Sequence, residues 1–294
     1  MVARPRYGAF MPLAGRGRNY GRIRHVAERV CAAVYRDGWS ARLVHKLHLQ
    51  ASLRVVHHRI ACDRWPASTP SLRIAFASDL HAGPTTHPSL FDDVVARIES
   101  AAPDVLLLGG DYVFLDARAI DVLATRLARL RVVPTRLAVM GNHDLWAEDD
   151  EVARALVDAG VRVLANERVD LPSPFGHVSI CGLDEPWTGA PDAARAFEGA
   201  RDVRVLLCHA PSGLLHTREH RFDLAICGHT HGGHVALPFG VPIVAPGPLS
   251  RRYPHGEFVL EDGARLVVSR GVGSTEVPFR LFADPDVRIV TLGP

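Results

Sequence analysis

Lysine is nearly absent from this chain: Lys46 is the single one among 34 basic residues. Arginine supplies the rest, a compositional bias from which no function is read. Cysteine is also sparse. The five residues (Cys31, Cys62, Cys181, Cys208 and Cys227) form no CxxC pair and no even set, which excludes a disulfide scaffold and a thiolate zinc site. Three of them lie inside apolar runs, where a reduced thiol acts as a small hydrophobe, so a reducing cytoplasm is the expected setting. No uncharged run reaches the roughly 18 residues of a transmembrane helix. The N-terminus has arginines but no continuous apolar stretch, so a cleaved signal peptide is not expected. There is no internal repeat and no low-complexity tract. What remains is an ordinary globular composition, 47% hydrophobic and 22% charged over 294 residues, enough for one large domain or two small ones.

Charge is unevenly placed. Residues 1–64 carry 12 arginines and Lys46 against Glu28, Asp37 and Asp63, an excess of ten positive charges. The total of +2 then leaves the remainder at −8. Residues 1–20 mix Gly, Pro and Arg without periodicity and read as a disordered basic tail. Residues 21–64 read as a basic amphipathic helical segment leading into an edge strand, with Ile23, Val26, Val30 and Ala33/Val34 at helical spacing. Leu43, Val44, Leu47 and Ala51 continue the pattern. Such a helix either docks on the core or lies on a membrane surface.

After the "WPASTP" linker, residues 65–294 read as a domain of a different pattern. Short apolar runs, "LRIAFAS", "DVLLLGG", "RLAVMG", "VRVLLC" and "DLAIC", predict buried strands. Helical patterns at 88–100, 116–130 and 148–159 lie between the early ones, which argues for an α/β core. The later runs "HVSICGL", "EFVLE", "RLVVSRG" and "VRIVTL" are separated by turns and predict a second, mixed or antiparallel sheet packed on the first.

Chemistry collects at the strand ends: Asp79 and His81 in "SDLH", Asp111 in "GGD", and Asn142 and His143 in "GNHD". His209 follows in "LLCH", then His229 and His231 in "GHTHGGH". In open α/β sheets ligands bind beyond the carboxyl ends of strands, so these residues are expected on one rim. His229 and His231, two apart in an extended turn, would point the same way. Hard oxygens mixed with imidazoles suit Mn²⁺, Fe²⁺ or Zn²⁺ better than a Ca²⁺ cage. His143 apart, the seven candidate ligands exceed one tetrahedral zinc and suit two ions sharing a carboxylate.

Taken in order, "DLH", "GD", "GNHD", a lone His and "GHTH" resemble the calcineurin-like metallophosphoesterases over about residues 53 to 293. The ending, with "LVVSRGVGST", "PFR" and "PDVRIVTL", is similar to the bacterial branch of YkuE- and YaeI-type phosphodiesterases and to LpxG-type UDP-diacylglucosamine pyrophosphatases. The resemblance implies a four-layer α/β/β/α sandwich of two mixed sheets flanked by helices. It implies that Asp79, His81 and His231 hold one metal, Asn142, His209 and His229 the other, and that Asp111 bridges them. Two divalent ions, Mn²⁺ first, would stand roughly 3.5–4 Å apart and activate a bridging hydroxide. His143 would protonate the leaving oxygen or bind the phosphoryl group, and Asp144 is a candidate to fix a neighbouring imidazole.

Protein phosphatases of the superfamily carry GDxHG, GDYVDRG and RGNHE, where this chain has "SDLHAG", "GDYVFLD" and "MGNHD". Phe114 stands where those enzymes place the aspartate that orients the catalytic histidine; either Asp116 or Asp144 substitutes, or the orienting group is absent. A protein-phosphatase activity is therefore disfavoured. Substrate contacts are expected from Arg252 and Tyr253 in "PLSRRYPHGEF", with Arg251 and His255 nearby, and from His234 unless it merely faces solvent. The expected reaction is hydrolysis of a phosphodiester or pyrophosphate bond in a phosphorylated small molecule or a lipid-linked substrate. The lipid-linked case would involve peripheral contact with anionic membrane at its inner face. A soluble phosphodiesterase for cyclic nucleotides or nucleic acid, without sequence-specific nucleic-acid binding, and a non-catalytic scaffold are the alternatives.

Overall fold

A computed structural model describes residues 22–217 and 219–294. The expected disordered tail at 1–20 lies outside the described residues. Leu-, Ile- and Val-rich runs form strands at β1 Arg54–Ala61, β2 Leu72–Ala77, β3 Val105–Leu108, β4 Thr135–Ala138 and β5 Arg162–Val163. They continue with β6 Glu167–Asp170, β7 Val178–Gly182, β8 Val203–Leu207, β9 Leu224–Cys227, and the small pair β10 Ala236–Leu237 and β11 Val241–Pro242. The last three are β12 Gly256–Val259, β13 Arg265–Val268 and β14 Asp286–Gly293.

Two six-stranded mixed sheets result, in the orders β1-β14-β2-β3-β4-β5 and β12-β13-β9-β8-β7-β6. The period-2 alternation of a strand divides the core into layers. Leu106 and Leu108 of β3 face helices α3 (Ser89–Ala101), α4 (Ile120–Leu127) and, after the short α5 (Asn142–Ala147), α6 (Asp149–Asp158), while Val105 and Leu107 face the other sheet. On β8, Val205 and Leu207 fill the space between the sheets. Leu206 packs on the far side with Phe197 of the short helix α7 (Ala193–Phe197). The architecture is the four-layer α/β/β/α sandwich, with a thin outer layer on the second sheet.

Two placements differ from the sequence expectation. β8 and β9, read with the α/β core, are parallel strands at the centre of the second sheet. β14, read with the second sheet, inserts into the first, parallel to β1 and antiparallel to β2. The cause is common to both. A strand buried on both faces reads as an unbroken apolar run whichever sheet holds it, and β14 buries Val287 and Ile289 on one face and Val290 and Leu292 on the other. All five cysteines are free thiols, four of them buried.

The helices preceding β1, α1 (Arg22–Val34) and α2 (Trp39–Lys46), sit differently from an ordinary amphipathic pair. Arg24, Glu28, Cys31 and Tyr35 form the half-buried stripe of the first helix, whereas Val26, Val30 and Val34 are at least half exposed. The polar side docks on the body and the apolar side faces outward. Leu43 and Leu47 extend the exposed apolar surface. Among the described residues no helix is long and apolar enough to cross a membrane.

Candidate metal centre

All the candidate ligands lie within four residues of a strand's C-terminal end. β2, β3 and β4 of the first sheet deliver Asp79, His81, Asp111 and Asn142; β8 and β9 of the second deliver His209, His229 and His231. The rim is thus shared by two sheets rather than one. Five of the seven have left-handed backbone, Asp79 (φ 52), His81 (φ 45), Asp111 (φ 55), His229 (φ 70) and His231 (φ 52). For non-glycine residues this conformation is uncommon and costs free energy that surrounding structure must offset. The two GHTH histidines are therefore not in an extended turn. The left-handed bends send His229 toward His209 and His231 toward His81, to opposite ends of the cluster.

One ligating atom each from Asp79, His81, Asp111 and His231 falls within 4.8 Å of all the others, and Asp111, His209 and His229 form a second such group. Asp111 belongs to both. Its Oδ2 lies 3.3 Å from His209 Nε2 and 3.7 Å from His81 Nε2. His231 Nε2 is 3.1 Å from His81 Nε2 and 3.5 Å from Asp79 Oδ1. His209 Nε2 is 3.1 Å from both His229 Nδ1 and Asn142 Oδ1.

Protonation chemistry tests whether these residues fit a metal. His209 Nδ1, 2.7 Å from the Gly109 carbonyl, must be its N–H side, so Nε2 turns a lone pair toward the carboxylate of Asp111 and the oxygen of Asn142. Lone pairs meeting lone pairs call for a cation among them. With no ion bound that cation is a proton: the Asp111, Asp79 and Glu185 carboxylates outweigh burial and hold the proton affinity of His209 well above its usual value, and a metal would displace this proton from Nε2. Burial lowers His81 to about 4 and His229 to about 3, keeping them neutral and able to ligate. Burial also pushes Asp79 up to about 6. Asp111 feels the same burial, but His209 and His143 keep it well below the usual carboxylate range. The donor set fits divalent ions, with the negative charge concentrated on the shared carboxylate.

Packing leaves little freedom around these groups. A Cβ on Gly228 would stand 2.2 Å from Asp79 Oδ2, and one on Gly271 (φ +68) 2.5 Å from Asp79 Cβ. Asp144 is buried and accepts backbone N–H bonds from Asp111 (2.8 Å), Tyr112 (2.7 Å), Gly141 (2.9 Å) and Val113 (3.2 Å). Its carboxylate binds the loop after β3 to the loop after β4 and reaches no imidazole. Asp116 caps a 3₁₀ turn and pairs with Arg118. Neither aspartate orients His143. Aromatic rings do instead: His81 at 4.8 Å, Trp146 at 4.9 Å and Phe114 at 5.6 Å between centroids box in the imidazole. Its backbone N–H donates to Asp111 Oδ1 at 2.8 Å.

Of the expected substrate contacts, His234 lies beside the cluster, Nδ1 3.4 Å from His231 Nδ1, but its Nε2 is engaged at 2.8 Å by the Val277 carbonyl. Arg252 and Tyr253 are not brought to the cluster. Arg252 pairs with Glu261, and Tyr253 packs on Phe258 in the core outside the second sheet. Arg251 is exposed, and His255 contacts Arg270 and the Gly240 carbonyl.

Three neighbours of the centre are not singled out by the sequence. Arg280 is buried, donates to the Gly273, Arg270 and Ala283 carbonyls, and places Nη2 3.1 Å from His231 Nδ1. Trp187, half exposed, stands edge-on to His229 at 5.3 Å on a turn held by buried Glu185. Arg24 reaches His143 from the first helix. "PFR" was the one available signal for Arg280; the others carry none.

Residues 72–233 match the calcineurin-like phosphoesterase family, to which the chain belongs. It is a metal-dependent phosphoester hydrolase, and the Asp/His cluster is its dimetal-binding site. The chain is 32% identical over 249 residues to an uncharacterized metallophosphoesterase of Aquifex aeolicus, covering 82% of this chain and 92% of that one. It is 30% identical over 242 residues to phosphodiesterase YaeI of Escherichia coli, covering 81% and 87%. With the uncharacterized metallophosphoesterase YkuE of Bacillus subtilis it shares 28% over 249 residues, covering 82% and 85%.

Removing the Asp144 carboxylate tests the loop connection. Asp144→Ala leaves four amides without their acceptor and should cost roughly 3 kcal/mol or more in urea unfolding, with metal content falling below that of the native protein. Native stability together with native metal content would refute the connecting role.

Proposed function

We propose that the chain hydrolyses a phosphodiester or pyrophosphate bond with two divalent ions, Mn²⁺ first and Fe²⁺ or Zn²⁺ next by donor type. Asp79, His81 and His231 would hold one ion, Asn142, His209 and His229 the other, with Asp111 shared. The carrying observation is the membership of Asp111 in both groups. When bound, such ions polarise phosphoryl oxygens and lower the pKa of water. The protein's own part is arrangement and proton movement. The carboxylate of Asp111 stays ionised, His81, His229 and His231 present neutral nitrogens, and the loop geometry is held by Asp144. His143, boxed by rings and tied to Asp111 through its backbone, delivers a proton to the leaving oxygen from Nε2 once substrate parts that nitrogen from Arg24 and its charge offsets the burial that holds the imidazole well below its usual value.

A lipid-linked substrate at an anionic membrane surface is the finer reading, and the outward apolar stripe of α1 favours it. The pair β10/β11 carries a second apolar projection, with Phe239 fully exposed and Leu237, Val241, Ile243 and Val244 more than half exposed. It adjoins the GHTH turn, since a Cβ on Gly233 would meet Pro242 Cβ at 2.5 Å. The segment 276–282 links the two projections: Glu276 binds Arg24 and Tyr35, and Leu281 binds Ala236 and bridges to Val235. In this division of labour residues 21–64 supply the basic, membrane-facing element and 65–294 the catalysis. Anionic lipid attracts each nearby basic residue by roughly 1 kcal/mol.

The centre is tested with bis(p-nitrophenyl) phosphate and added Mn²⁺. Asp111→Asn should lose metal and turnover together; full activity with two ions bound would defeat the assignment. His143→Ala should keep both ions and turn over slowly, with a smaller loss for a p-nitrophenolate than for an alkoxide leaving group. Equal losses would move His143 to phosphoryl binding. For the membrane reading, full-length protein should co-sediment with phosphatidylserine vesicles at low salt and not with neutral ones. The exposed-site double variant Val26→Glu/Val30→Glu should stay in solution, and undiminished sedimentation of that variant would rule out α1 as the contact.

A further inference from the structure

Among the described side chains of α1, Arg24 reaches the reaction centre. Its Nη2 lies 3.4 Å from His143 Nε2, and its Cζ stands over the Trp146 ring at 4.5 Å from the centroid. Nε donates to Glu28 at 3.0 Å, and Nη1 pairs with Glu276 Oε1 at 3.0 Å. Tyr35, three turns further along the same face, donates to the Glu276 carbonyl at 2.8 Å. The guanidinium is thus held on two edges and one face by carboxylates and an aromatic ring, with the third edge directed at His143. Cation–π stacking and carboxylate pairing both favour arginine over lysine in such a seat.

Donor logic gives this contact a meaning. A guanidinium only donates, so the Nε2 that faces it is an acceptor and carries no proton in this arrangement. An imidazole that donates from Nε2 would instead meet Arg24 donor to donor. An anionic oxygen standing between them satisfies both groups at once. We propose that Arg24 is a substrate-binding residue of this centre, donating from Nη2 to the same ester oxygen that His143 Nε2 meets, so that α1 completes the active site. The ligand class is a phosphate ester or inorganic phosphate. Glu28 and Glu276 are positioning residues, setting the angle of the guanidinium before substrate arrives. The proposal rests on the phosphoesterase reading above.

Arg24→Gln and Arg24→Lys in the full chain, loaded with Mn²⁺, separate the possibilities. Inorganic phosphate binding is measured by calorimetry, KM and kcat with bis(p-nitrophenyl) phosphate, and metal content by mass spectrometry. Loss of a charge-assisted hydrogen bond should weaken phosphate binding and raise KM by about tenfold or more in Arg24→Gln. kcat should fall less, metal content should not change, and Arg24→Lys should recover part of the KM. Unchanged phosphate affinity and KM in Arg24→Gln would overturn the proposal. So would faster turnover, which would make Arg24 a plug that substrate displaces, and so would metal loss in both variants, which would make its role structural. A native protein that binds phosphate through Arg24 yet hydrolyses no phosphoester would refute the hydrolase reading and leave the Arg24 contact standing. One that neither binds nor hydrolyses would overturn both.

Discussion

The Asp144 carboxylate sets the geometry on which the centre depends. Four backbone amides from two loops of different strands converge on it. Without that acceptor, Asp111 and Asn142 would sit on independently moving loops. The acceptor must be buried to be effective, and burial pushes its own proton affinity up, to about 8. Backbone N–H groups partly offset this, since each favours the charged form. The same carboxyl group therefore orders the loops, while their amides favour its charged form against burial and the neighbouring Asp111 carboxylate.

Backbone strain follows from the same demand. Convergent ligands from five strand ends require the chain to turn sharply just past each strand. Left-handed conformations at Asp79, His81, Asp111, His229 and His231 accomplish the turn within one or two residues. Gly110, Gly228 and Gly271 let neighbouring backbone close over those bends, and the interlayer core beneath, from Phe76 and Leu107 to Ile226, holds the strand ends in place. Strain of this kind persists only where packing over-determines it, and here both sheets contribute.

Much of this was legible in the sequence because each ligand directly follows a short apolar run. A strand end and a polar motif then occupy one contiguous window, as in "LRIAFASDLH" and "DLAICGHTH". Assignment of β8, β9 and β14 to their sheets was not legible, because strands buried on both faces carry no mark of which sheet they join. The stripe on α1 showed a helix but not which side docks; its polar side does, through Arg24, Glu28 and Tyr35. The aromatic box around His143 and the contact from Arg24 were also hidden. Arg24 lies 119 positions from His143, and no local pattern records such a pairing. Arg252 and Tyr253 show the converse: their segment stays beside the GHTH turn, with the Pro254 carbonyl accepting from Thr230 at 2.6 Å, yet Arg252 turns to Glu261 and Tyr253 into the outer core.

The tight glycine contacts around Asp79 have a consequence for how such a molecule can change over generations. A methyl group on Gly228 or Gly271 collides with the carboxylate or its Cβ, so the floor of the centre admits almost no variation in size. New substrate preferences would have to arise where side chains can grow without collision: on the exposed faces of α1, the Trp187 turn and the loop bearing Phe239. Reaction chemistry and recognition therefore occupy separate parts of the chain, one frozen by sterics and the other open to drift and selection.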